Sequence, residues 1–136
     1  NSYPNLVICT IGESSLAEGK KAIKIFKKTM VNISVKLISV ISFKVFDDEK
    51  LVKKLFSSNP VIFVYHGYKT TIKSMIFGKI DNEKVRILGF ENRSDISGNT
   101  LEKLSSNHLS NADIVNNMYE LIGVDNLNNK YGSDIN

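Results

Sequence analysis

The sequence has no tryptophan, two prolines, two histidines and a single cysteine. One cysteine cannot form an internal disulfide, and Cys9 falls inside an apolar strand pattern. Its expected role is a small buried hydrophobe, and the expected compartment is the cytoplasm. His66 and His108 are too sparse for a zinc centre, which takes four protein ligands, or three and a water. No apolar run approaches the roughly 20 residues that a bilayer-crossing helix needs. The opening Asn1-Ser2-Tyr3-Pro4 also lacks the basic start and apolar stretch of a secretory signal. Neither a Walker-type phosphate loop nor a Gly-x-Ser-x-Gly elbow occurs, and Gly12 and Gly19 stand too far apart for a dinucleotide fingerprint. These absences lead us to expect no catalytic residue, no metal site, no cofactor bound by the chain and no membrane partner.

What is present describes one domain. A chain of 136 residues can bury a real core, and 42% hydrophobic with 24% charged residues is ordinary soluble globular usage. The net charge is +4, with lysines concentrated at Lys20, Lys21, Lys24, Lys27 and Lys28. On a helix these flank an apolar face of Leu16, Ala17, Ile23 and Phe26, so they read as its solvated side. Aromatics do not interleave with the basic residues as a base-stacking platform requires, so no nucleic-acid partner is expected.

Strand and helix signals alternate along the chain. Residues 5–11 form a branched apolar run ended by Gly12, which suits a strand covered on both faces. Ser14 or Ser15 can cap the following helix, with Glu18 three residues after Ser15 as a capping box requires. Residues 31–40 read as a second strand. Asp47 or Asp48 can cap a helix to about Phe56, and Ser57-Ser58-Asn59-Pro60 stops it. Residues 61–65 are a third, fully buried strand, turned by His66-Gly67-Tyr68 into a short helix over 70–77. A fourth strand covers 85–90, and closing helices are expected over 100–105 and 110–122, the latter capped by Ser110 with Asp113. Such alternation predicts a three-layer α/β/α sandwich around a mostly parallel sheet of about five strands. The domain should occupy 1–124, with 125–136 a disordered tail.

The order of four segments resembles the transketolase C-terminal domain family. They are Thr10-Ile11-Gly12-Glu13, then Ser42-Phe43-Lys44-Val45-Phe46-Asp47, then residues 61–67. The last is the closing stretch Gly89-Phe90-Glu91-Asn92-Arg93-Ser94 with Ser97-Gly98 and the helices after it. The resemblance implies a five-stranded mixed sheet with one antiparallel strand, as in transketolase, deoxyxylulose-phosphate synthase and the beta subunits of 2-oxo acid dehydrogenases. It implies a C-terminal scaffold and dimer-contact domain of a thiamin-diphosphate-dependent parent. That parent would transfer a two-carbon ketol unit between sugar phosphates, with thiamin diphosphate and magnesium held by its other domains. This chain has no Gly-Asp-Gly, the family's magnesium and diphosphate motif, and Tyr65-His66 replace the usual acidic pair of the third turn. A strand beginning within a few residues of Asn1 suggests a cut from a longer protein. A hypothesis of another class is a stand-alone binding module that kept the fold without the catalytic domains.

Three places carry ligand or interface potential. Free amides at Gly12-Glu13-Ser14-Ser15 can hold a small anion, although capping by Ser14 or Ser15 uses the same residues. His66 falls at the carboxyl edge of the sheet, where open α/β folds place ligands, and equally suits a turn or an interface. Arg93 can brace its loop through Glu91 or Asp95, or reach across an interface.

Overall fold

The computed structural model describes residues 5–80, 83–91 and 110–123. Its elements run β1 (Leu6–Ile11), α1 (Glu13–Thr29), β2 (Val35–Val40), a 3-10 turn (Phe43–Asp47), α2 (Glu49–Phe56), β3 (Val61–Tyr68), α3 (Lys69–Ile76), β4 (Val85–Phe90) and α4 (Asn111–Leu121). Strand order is β2-β1-β3-β4, and every pairing is parallel. Four strands thus stand among the described residues where about five were expected, and the antiparallel strand implied by the resemblance is not among them. The expected helix over 100–105, Arg93, His108 and the tail over 125–136 lie outside the described residues.

The central strands are central because both of their faces are apolar. All six residues of β1 are buried. Its alternate side chains feed two cores. Leu6 and Ile8 join Ala22, Phe26, Ile114 and Met118 on one face, beneath α1 and α4. Val7, Cys9 and Ile11 join Phe46, Val52, Phe56 and Ile72 on the other, beneath α2 and α3. At about 1.5–3 kcal/mol for each large side chain removed from water, these two layers dominate the stability.

The helix ends follow local chemistry with one exception. Asp48 accepts from the Leu51 amide at 3.1 Å and starts α2. Ser110 and Asp113 complete the expected capping box of α4. The box expected from Ser15 and Glu18 does not form. Gly12 holds the N-cap position of α1, and Glu18 instead accepts from the backbone and side-chain nitrogens of Asn111, at 3.0 and 3.3 Å. The carboxylate of one helix therefore serves the amino end of another. The buried side of α1 also differs from the expected one: Ser15, Gly19, Ala22 and Phe26 face the sheet, while Ala17 is exposed and Leu16 and Ile23 are half-buried. Gly19 is required there, since a Cβ at this position would lie 2.6 Å from Thr10 Cγ2.

Further ties fix α4. Arg86 on β4 donates to Glu120 Oε1 at 2.7 Å and to Asn117 Oδ1 at 3.0 Å. Thr29 Oγ1 meets Tyr119 Oη at 2.5 Å, and the Phe26 and Tyr119 rings lie 5.1 Å apart.

Candidate functional site at the carboxyl edge of the sheet

From β1 the chain crosses one face through α1 to reach β2, then crosses the other through α2 to reach β3. The carboxyl ends of β1 and β3 are therefore neighbours whose following helices depart to opposite faces. This is the topological switch point, where open α/β sheets leave a crevice. Four of the sequence-predicted residues, Gly12 to Ser15, lie on one side of it, and His66 lies on the other.

Gly12 has φ 92° and ψ 165°, a conformation that side chains with a Cβ rarely adopt. Its amide donates to Val40 O at 3.0 Å, which extends the β1–β2 ladder by one bond. Its carbonyl accepts from Leu16 at 3.1 Å and starts α1. Glycine offers no side chain to cap the next amides, those of Glu13, Ser14 and Ser15, so the positive end of a 17-residue helix opens on the crevice.

His66 reaches the same place from β3. The strand continues through the residues expected to form a turn, as far as Tyr68, and the β3–β4 register shifts between Val64 and Tyr68. This bulge carries His66 to Ser14, whose Oγ lies 2.5 Å from its Nδ1 across 52 residues of sequence. Ser15 is fully buried and its hydroxyl has no hydrogen-bond partner, as is also true of Thr10 on β1. Nothing in the sequence signalled the Ser14–His66 contact beyond the position of each residue after an apolar strand.

Around this pair lies a rim of aromatic and charged groups. Tyr65 folds its ring against Gly67, where an added Cβ would sit 2.4 Å from ring carbons. The same ring meets Phe43 edge-on at 5.5 Å, and Ile41, two residues before Phe43, is 92% exposed. Lys69 Nζ pairs with Glu91 Oε1 at 2.5 Å. A separate recess of about 390 Å³ is lined by Lys73, Ile76, Phe77, Gly78, Ile80 and Val85.

Burial pushes the Cys9 thiol up to about 12, which keeps it protonated and unreactive at neutral pH. Among the described residues no three His, Cys, Asp or Glu side chains group as metal ligands. No helix among them is long and apolar enough to cross a membrane. The sequence contains no Gly-Asp-Gly.

A parallel sheet in this order, covered by helices on both faces, defines the class as a doubly wound α/β domain. It superposes on a split-gene transketolase solved as an inactive beta4 tetramer, with a TM-score of 0.59 and 13% identity, covering 88% of this chain and 38% of that one. The family model of the XFP C-terminal domain matches residues 1–133, and the chain belongs to that family. A probable phosphoketolase from Brucella abortus (strain 2308) is 21% identical over 97 residues, which are 64% of this chain and 12% of that protein. One from Rhodopseudomonas palustris (strain TIE-1) is 21% identical over 98 residues, 65% of this chain and again 12% of the protein. The chain therefore corresponds to a small part of the curated relatives it matches.

Proposed function

We propose that this chain is the scaffold and contact domain of a thiamin-diphosphate-dependent enzyme of phosphoketolase type, and that it supplies no catalytic residue itself. The observation that carries the reading is the family match over 1–133, joined to relatives in which the matched segment is 12% of the protein. The relatives named as probable phosphoketolases move the reading from a transketolase proper, a deoxyxylulose-phosphate synthase or a 2-oxo acid dehydrogenase toward a phosphoketolase parent. Thiamin diphosphate and magnesium belong, in this reading, to the parent's other domains, and the parent works as a homodimer. Exposed Ile41 beside the Phe43–Tyr65 pair supports a docking role, since together they form apolar surface at one edge of the sheet.

The test is the size of the native polypeptide, read by immunoblot of source-cell extract with an antibody against this domain. A band several times heavier than 15.2 kDa is expected. A band at the domain's own mass would overturn the reading and leave a free-standing binding module, which the Tyr65-His66 departure from the family's acidic pair favours. The isolated chain, given thiamin diphosphate, magnesium, a ketose phosphate and inorganic phosphate as acceptor, should show no turnover. Measurable turnover would contradict the assignment of catalysis to other domains.

A further inference from the structure

We propose that the outer face of α1 docks an acidic protein segment, which sets carboxylates against Lys20, Lys21, Lys24 and Lys28 and an apolar side chain against Ile25. The five lysines of this helix look alike in the sequence, and the structure separates them. Lys27 is committed to the end of the helix, where its ammonium donates to Val31 O at 3.1 Å and also to Ile33 O. The other four are exposed. Lys20, Lys24 and Lys28 follow at four-residue steps, so they form one line with a rise of about 6 Å between neighbours. Lys21 and Ile25 form the adjoining line, and Ile25 is 44% exposed among these cations.

Within the domain this charge goes unanswered. Lys21 lies 3.7 Å from Glu18 Oε2, while the other oxygen of Glu18 serves Asn111. No acidic side chain among the described residues pairs with Lys20, Lys24 or Lys28. Like charges four residues apart repel and weaken a helix. The helix dipole favours Lys28 in the last turn, but Lys20 and Lys21 stand too far from that end to gain from it. Elsewhere cations are mixed with acids: Arg86 with Glu120, Lys69 with Glu91, and the lysines of α2 with Asp48 and Glu49. A surface of one sign around an exposed apolar residue has the anatomy of an interface, an apolar centre inside a polar rim. The same features choose among anionic partners. Duplex phosphates would leave Ile25 against charge, and a membrane needs a broad apolar face, which this helix turns to the sheet through Ala22 and Phe26. A protein segment supplies carboxylates at four-residue spacing together with an apolar side chain.

This inference does not rest on the proposed parent enzyme, and the two tests fail separately. The probe is a helical peptide with Glu at every fourth position and a central Leu. It is titrated into the 136-residue chain at low and at physiological salt, and binding is followed by amide NMR. Saturable shifts are expected over residues 17–28, weakening as salt is raised. Lys20→Glu combined with Lys24→Glu should lower the affinity by about tenfold or more, since both positions then repel the probe. Ile25→Ser should lower it by about threefold, the loss of a partly buried apolar contact. Lys36→Glu, at an exposed lysine of β2, should change it by less than about twofold. All four substitutions fall on exposed side chains, and the urea midpoint of each variant checks that the fold is kept. The proposal is overturned by an absence of saturable binding, by shifts spread equally over the lysines of α2 and α3, or by affinity that survives the double charge reversal. Tighter binding of a DNA duplex or of anionic vesicles than of the peptide would overturn it as well.

Discussion

On the face that carries α2 and α3, the rings of Phe46, Phe56 and Phe63 lie 5.1–6.3 Å from one another. On the face that carries α1 and α4, one ring among the described residues, Phe26, is fully buried, and Gly19 leaves room for the Thr10 side chain where a Cβ would come within 2.6 Å of it. The first face gains stability from aromatic area, which tolerates small shifts of a helix. The second sets position: the Gly19 contact, the Glu18–Asn111 hydrogen bonds and the Arg86 ties place α1 and α4 to within a side-chain contact. The crevice depends on the second face, because the height of α1 decides where its first turn meets His66.

The comparison breaks first, and most visibly, at Phe63. Phe63→Ala should cost about 3–5 kcal/mol, read as a lower urea midpoint. A loss under about 1 kcal/mol would mean the aromatic cluster does not hold its face. Cys9 offers a pH test of the same layer. The unfolded thiol loses its proton above about 9.0, whereas burial holds the folded one to about 12. Between those values the unfolded state sheds a proton that the native state keeps. Stability should therefore fall by about 1.4 kcal/mol per pH unit on this account, and Cys9→Val should flatten that slope relative to the parent sequence.

Tests of the other face are smaller. Gly19→Ala gains about 1 kcal/mol of helix propensity but forces a methyl against Thr10, at about 1–3 kcal/mol. A net loss of about 1 kcal/mol is expected, with recovery when Thr10→Ser removes the opposing methyl. Recovery absent from the double-mutant cycle would show that the close approach is not what positions α1. Glu18→Ala should cost about 0.5–1 kcal/mol, with faster hydrogen exchange at the Asn111 amide than elsewhere in α4.

Reading the sequence sufficed wherever the signal was local. The runs behind β1 and β4, the Asp48 cap and the Ser110–Asp113 box each involve a few adjacent residues, and each was found within a residue or two. Contacts set by the three-dimensional fold were not legible. Ser15 and Glu18 have capping-box spacing, yet Glu18 has a better partner in α4 that no local pattern reveals. His66 reads as a turn residue because Gly67 follows it, whereas the β3–β4 bulge keeps the strand going and turns His66 toward Ser14. Likewise Gly19 looks like a cost to helix propensity until Thr10 is seen against it.

The Glu18–Asn111 bond joins residues 93 positions apart, and that span has a consequence for the order of folding. The strands and helices through α3 have partners close behind them as the chain emerges from the ribosome. Glu18 in the first helix must wait, because the Asn111 amide it accepts from is made 93 residues later, at the start of α4. Until α4 docks, Leu6, Ile8 and Val64 have lost one of the two helices that cover them. During synthesis the partly made domain therefore shows one finished face and one open one, and closing the latter is the last step of its assembly.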